Sequence, residues 1–437
     1  MENERPDPRL RCMEQAKMKG KIVLVRVDHN VVKKGVIKDP YRIEATFGTL
    51  YGIAEKGGRP IVMTHVGRPR DKKTGNITCA EADSVRPVVQ YLERKLPIRI
   101  HLQDFPADAE RGILHMDDTL QPAIEALKHG RIGMIYLPNS RWFNGEQGTE
   151  SERDAFAREL GRVADLYVND AFGSYRAHAS TWDVARHLPS FAGHLLQKEL
   201  KNLQSVLEPQ RPFAAVIAGA KYDTKIGPLK ALYTKVDHLI LGGLMYNTFL
   251  SAKYGIEIAG VSEADRDLAR ELVKIDEREK KIVELSHVVE SDRTDKKMDG
   301  AYRTRNIRDF KAGEKCGYLL DMDPRSLEAP VLRDVILGAK TIFVNAVMGL
   351  MPSFFDGSQA LYRLIATNRS GRKLFGGGDT LQELKNLCPG IYLKGLDEPE
   401  TYYFTGGGSV LAAIEQGSPY RLKPVEALLE KTDGTSA

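Results

Sequence analysis

Cysteine is scarce in this chain. Its 437 residues include four, Cys12, Cys79, Cys316 and Cys388, far apart and without C-x-x-C spacing. That argues against a disulfide framework and a zinc site, and the expected setting is a reducing cytoplasm. Long apolar runs are missing: none approaches the ~18 residues a membrane span needs. The opening MENERPDPRL has no apolar signal core, so a soluble, cytosolic protein is expected. Dense basic runs are missing too, and the net charge is a modest +5. A nucleic-acid binder would carry a basic face or tail. Neither G-x-x-x-x-G-K-[ST] nor G-x-G-x-x-G occurs, which argues against a P-loop nucleotide hydrolase and a conventional dinucleotide enzyme. No heptad or exposed apolar stripe argues against a monomer.

The chain is too long for one core, since cores stop growing at about 250–300 residues. Apolar content of 42% and charged content of 28% are ordinary for globular domains, so two domains are expected. Apolar runs of buried-strand type occur at 21–27, 59–64, 98–101, 132–137 and 164–168. Helical patterns separate them at 41–53, 80–96, 122–128 and 150–161. Such β-α-β alternation predicts a parallel sheet covered on both faces. Residues 103–118 read as acidic and irregular. After a helical stretch at 195–207, Pro209 and Pro212 suggest a boundary. Alternation restarts with strands at 213–218, 238–241, 281–285, 341–344, 373–375 and 402–404, and 286–320 reads as charged and irregular.

The two halves differ at their strand ends. In open parallel sheets the ligand crevice lies beyond the carboxyl ends of the strands. The first half places Asp28, Asn30, His65, Arg68, Arg141 and Arg176 there, with Arg42 on the first helix. Each arginine alone is better read as a surface ion-pair partner. Their recurrence beyond strands favours an anion pocket, because guanidinium forks bind phosphate and carboxylate bidentately. Asp28 and Asn30 could accept from a ligand hydroxyl. The second half places glycines there, in GGGDT (376–380) and TGGGS (405–409). Such turns let backbone N–H groups at a helix start meet a phosphate. Asp379, read as the cap residue, is an N-cap, a holder of Mg²⁺ on a nucleotide, or both. Lys221 and Lys225 in GAKYDTKIG suit a polyphosphate chain, or are simply solvated. An anion pocket on one domain, a nucleotide site on the other and a helix between them form the layout of a hinge-closing phosphotransferase.

The motifs VRVDHN, THVGRP, VNDAFG with the following RAHAS, GAKYDTKIG, GGLMYNTF, FVNAVMG, GGGDT and TGGGS occur in this order. From about residue 20 to about 429 the chain resembles the phosphoglycerate kinase family. The resemblance implies an α/β fold: two Rossmann-like three-layer domains, each with a parallel sheet, joined by a long hinge helix. It divides the chain into an acceptor domain (1–194), the hinge helix (195–208), a nucleotide-binding domain (209–415) and a segment returning toward the first domain (416–437). It implies that 3-phosphoglycerate meets Asp28, Asn30, Arg42, His65, Arg68, Arg141 and Arg176. Lys221, Lys225, Gly243, Asn345, Gly378, Asp379 and Thr380 would hold ATP or ADP, with Mg²⁺ on Asp379. Arg42, Lys221, Gly378 and Gly407 would serve catalysis.

Departures from the family cluster in the nucleotide half. Val347 replaces a proline, Leu244 a glycine, and Pro352 stands where a ribose-binding glutamate is expected, with Ser353 and Asp356 as possible substitutes nearby. Three readings compete: transfer between 1,3-bisphosphoglycerate and ADP, a related kinase with another nucleotide such as GTP or another small acid, and a non-catalytic descendant. Retention of Arg42, Lys221 and Asp379 counts against the last.

Overall fold

The computed structural model describes residues 7–219 and 226–430. It divides into two compact units, Met1–Lys201 with Pro419–Ala437, and Asn202–Ser418. The division falls inside the helix His194–Leu207.

The first unit is built on a six-stranded, wholly parallel sheet. Its order is Ser190–Ala192, Leu166–Asn169, Ile22–Arg26, Arg59–Met63, Met134–Tyr136, Ile100–Leu102. Every residue of Ile22–Arg26 is buried, as the unbroken apolar run requires for a strand covered on both faces. Helix Glu150–Arg162 starts at a capping box between Thr149 and Glu152, which satisfies two backbone donors reciprocally. Residues from the far end of the chain complete this unit. Leu10 bridges Leu429, Arg11 N donates to Leu428 O at 3.0 Å, and Asp7 N donates to Tyr420 Oη at 2.8 Å.

The second unit holds a five-stranded parallel sheet in the order His238–Gly242, Phe213–Gly219, Thr341–Asn345, Arg372–Gly376, Thr401–Phe404. In sequence terms the order is 2-1-3-4-5, with its switch point between Phe213–Gly219 and Thr341–Asn345. Two parallel-sheet α/β units are thus present, as the alternation predicts.

Several elements differ from the sequence reading. The helix read at 41–53 is two, Tyr41–Glu44 and Phe47–Glu55; between them Thr46 turns inward to a buried histidine. Residues 103–118 include a short hairpin, Ala107–Asp108 with Gly112–Ile113. Residues 281–285 form no strand, only a bridge from Ile282 to Leu239. The charged stretch 286–320 is ordered: His287–Ser291, Tyr302–Asn306 and Tyr318–Met322 form an antiparallel sheet. A buried carboxylate gathers part of its positive charge. Buried Glu290 accepts from Arg303 at 2.6 Å, from Arg305 at 2.9 Å and from Gly317 N at 2.6 Å. Helix Gly243–Tyr254, unassigned in the sequence, is buried continuously from Met245 to Ser251. A helix covered on nearly all sides has no amphipathic period to read.

Candidate active site

Each unit opens a cavity beyond the carboxyl ends of its own sheet. In the first unit a cavity of about 780 Å³ is lined by Asn30, His65, Arg68, Arg141 and Arg176, together with Arg70, Lys72 and His178. Of the last three, Arg70 and Lys72 were not singled out in the sequence. RAHAS pointed at His178, whereas Arg70 and Lys72 look like ordinary surface charge. Arg42 and Asp28 do not line this cavity. They pair with each other instead, Arg42 Nη1 to Asp28 Oδ2 at 3.4 Å. The second oxygen of Asp28 is buried with no hydrogen-bond partner among the described residues, so an acceptor remains for a ligand hydroxyl.

The strand ends fix these side chains through backbone contacts. Asn30 Oδ1 accepts from Gly67 N at 3.1 Å. Asn139 Oδ1 accepts from Val66 N and Arg141 N, and its amide donates back to Val66 O at 2.8 Å. Arg141 donates to Gly67 O. Gly67 has φ +61, and a Cβ there would lie 2.5 Å from Asp83 Oδ1. Only glycine suits that backbone and that space.

His29 serves the site from below. It is fully buried, with Nδ1 2.9 Å from Tyr136 Oη and Nε2 3.0 Å from Thr46 Oγ1. Thr46 donates its own proton to Ile43 O at 2.7 Å. The proton between Thr46 and His29 therefore belongs to His29 Nε2, and Tyr136 donates to Nδ1. Burial, then the charge of Arg26, pushes the His29 pKa down to about 3. This neutral ring ties the Arg42-bearing helix to the sheet.

Arg26, the last residue of its strand, was missed because it reads as one more residue of the buried run. Its side chain lies under His65 and beside Glu146. Desolvation raises the Glu146 pKa, against the pull of Arg26 and the Ser180 and Ser140 hydrogen bonds.

In the second unit a cavity of about 680 Å³ is lined by Gly219, Gly243, Asn345, Gly377, Gly378, Asp379 and Thr380 at one end. Leu244, Asn247, Ala259, Gly260, Tyr318 and Leu319 line it elsewhere. The two glycine turns touch: a Cβ on Gly407 would sit 2.4 Å from Gly377 Cα. Gly377, at φ +112, caps helix Gly378–Leu387. Asp379 is therefore not the cap residue but lies in the first turn, exposed. Asn345 Nδ2 donates to Gly376 O at 2.9 Å and steadies the turn. Lys221 and Lys225 fall outside the described residues.

Among the described residues no group of three or more His, Cys, Asp or Glu could hold a metal. Mg²⁺ kept on one carboxylate, waters and phosphate oxygens fits the exposed Asp379 beside the glycine turn. Val347 and Leu244 line the cavity, but Pro352 does not. Neither Ser353 nor Asp356 lines it, and Asp356 is ion-paired to Lys297 at 2.6 Å. The polar groups on the wall are instead Asn247, Tyr318 and Glu383. Asn247 Nδ2 donates to Leu319 O at 2.8 Å, which settles the orientation of its amide.

A sequence model described as phosphoglycerate kinase matches residues 13–417. A phosphoglycerate kinase of Dictyoglomus turgidum is 36% identical over 408 residues, covering 91% of this chain and 93% of that one. One of Moorella thermoacetica is 35% identical over 431 residues, with 96% and 99% covered. Among solved structures, a phosphoglycerate kinase from Coxiella burnetii superposes with a TM-score of 0.72 at 27% identity, over 96% of this chain and 98% of that one.

Proposed function

Because the chain belongs to the phosphoglycerate kinase family, we propose which of its residues carry each part of the reaction. The activity is phosphoryl transfer in glycolysis between 1,3-bisphosphoglycerate and ADP, giving 3-phosphoglycerate and ATP. The bond between phosphorus and the acyl oxygen breaks, and one forms to the terminal oxygen of ADP. The carboxylate is released as the leaving group.

The observation that carries the assignment is the contrast between the cavities, one lined by arginine and histidine, the other by Gly219, Gly243, Gly377 and Gly378 with Asp379. The first is the 3-phosphoglycerate site. Arg68, Arg141 and Arg176 with His65 bind the anion, Asn30 lines the cavity, and Asp28 accepts from the hydroxyl. Arg42, beside Asp28, meets the phosphoryl group in transit. In the second unit, N–H groups at Gly378 and Gly407 and the side chains of Asn345 and Thr380 hold the nucleotide phosphates, with Gly243 allowing close approach. Lys221 and Lys225 are assigned to the same phosphates on sequence alone. Mg²⁺ on Asp379 would neutralise phosphate charge. In-line transfer with water excluded calls for hinge closure about the 194–207 helix. The reading also includes a cytoplasmic monomer acting without nucleic acid or membrane. Its support is four free thiols, a modest charge, and the lack, among the described residues, of a helix long and apolar enough to cross a membrane.

The test is a steady-state comparison of ATP, GTP and other donors with 3-phosphoglycerate and its analogues. Turnover with 3-phosphoglycerate and ATP at a family-like rate is expected. Turnover only with another acid would overturn the acceptor assignment.

A further inference from the structure

Beneath the arginine-lined cavity lies a buried ionic cluster that the reaction does not touch. Arg26 is 1% exposed and Glu146 is fully buried. Arg26 Nε donates to Ser180 Oγ at 2.8 Å, Nη1 donates to Val27 O, and Nη2 lies 3.1 Å from His65 Nδ1. Glu146 Oε1 stands 3.9 Å from Arg26 Nη2. Glu146 also accepts from Ser140 Oγ at 3.1 Å, Ser180 N at 3.0 Å and Ser180 Oγ at 2.7 Å. Buried ion pairs are poor sources of net stability, so the geometry calls for another account.

A guanidinium has five donors and no acceptor. The 3.1 Å contact with His65 therefore requires a lone pair on Nδ1, and the ring proton resides on Nε2. His65 lines the cavity, and no hydrogen bond from its Nε2 to another described residue occurs. We propose that Arg26, clamped by Glu146 and Ser180, fixes His65 as the neutral Nε2–H tautomer and thereby makes it a hydrogen-bond donor to the acceptor anion. Arg26 is a positioning residue, and the donor role rests on reading this cavity as the 3-phosphoglycerate site. The charged and titratable groups facing His65 are Arg26 from its strand, Arg141 and His178 from the loops, and Arg42 from the first helix. With burial, they push its pKa well below the ordinary histidine value. Neutral His65 gives up charge attraction and keeps direction: its one N–H points where a ligand oxygen must be. The surrounding arginines supply the charge.

The experiment is a long-range ¹H–¹⁵N correlation of the ring nitrogens in the full chain, with His65 identified by its loss in His65→Gln. Ligand-free protein should show Nδ1 unprotonated and Nε2 protonated across about pH 5.5–8, the range in which an ordinary histidine titrates. A proton on Nδ1, or a midpoint near 6.5, overturns the proposal. Adding 3-phosphoglycerate should shift Nε2. The expected tautomer with no such response would overturn the acceptor-site reading and with it the donor role. A double variant, Arg26→Met with Glu146→Gln, strands no buried charge. It should mix the His65 tautomers and raise the 3-phosphoglycerate KM about tenfold, the scale of one charge-assisted hydrogen bond. kcat and the ATP KM should stay within about twofold, a split that general unfolding would not give. Unchanged tautomer and KM overturn the proposal, and if the variant does not fold, the wild-type spectrum decides.

Discussion

Arg42 stands on a four-residue helix, Tyr41–Glu44, which has little stability of its own because helix nucleation is unfavourable. Its position depends on neighbours: Asp28 at 3.4 Å on one side, and the chain Tyr136–His29–Thr46 on the other. Arg42→Ala should lower kcat about a hundredfold, the loss expected when one donor to transition-state charge is removed. The 3-phosphoglycerate KM should move less. Unchanged kcat with raised KM, in steady-state assays, would make Arg42 a binding residue only. His29 adds a dependence on pH. Its folded pKa, about 3, is below the unfolded value of about 6.5, so between these values the unfolded chain holds more protons. The stability His29 contributes is complete above about pH 6.5 and is lost as pH falls toward 3. His29→Gln should flatten that acid loss by a few kcal/mol, measured by denaturant titration at several pH values; parallel curves for both proteins would reject the assignment. Asp379→Asn should raise the Mg²⁺ concentration needed for activity with little change in melting temperature, because the side chain is exposed and only its charge is removed. An unaltered Mg²⁺ titration would remove Asp379 from the metal's neighbourhood.

Gly407 and Gly377 are where two elements meet without side chains. With 2.4 Å between a Cβ at 407 and Gly377 Cα, Gly407→Ala must separate the two turns. Overpacking of this kind costs about 1–3 kcal/mol, and the displaced N–H groups should weaken ADP binding in calorimetry; full affinity would mean that the turns do not hold phosphate. Such turns were legible in the sequence because glycine runs at strand ends stand out. So were the strands of both main sheets, as apolar runs too short for helices, except the short edge strand Ser190–Ala192. Other elements were hidden for identifiable reasons. The Gly243–Tyr254 helix has no polar face to mark it. The strand Tyr302–Asn306 carries Arg303 and Arg305, which pair with Glu290 of the neighbouring strand, so composition alone suggests a loop. The site shows the same division. Arginines just past strand ends could be listed from sequence, but Arg26 inside a strand could not. The mutual pairing of Arg42 and Asp28 and the absence of Pro352 from the cavity lining also depend on three-dimensional packing.

At the scale of the whole molecule, the proposed nucleotide site would owe its selectivity to one wall of the second cavity. Away from the glycine turns that wall is mostly apolar and backbone, with the Asn247 amide held by Leu319 O. Its polar side chains are Asn247, Tyr318 and Glu383, and the nucleotide is expected to be held mainly through its phosphates. ADP and GDP should bind within about tenfold of each other, a gap of about 1.4 kcal/mol. A preference of a hundredfold or more in titration calorimetry would show that the base is read by groups other than these. The first unit also has a consequence in time. It consists of Met1–Lys201 and Pro419–Ala437, so the second unit is spelled out between its two parts. A ribosome delivers all of Asn202–Ser418 before it delivers the partners of Leu10 and Arg11, which are Leu429 and Leu428. Although domains at the amino end usually fold first during synthesis, here the second-made unit is complete first, and the first-made one must wait with an edge open. A chain ending at Ser418 should therefore show a lowered melting transition for the first unit and an unmoved one for the second.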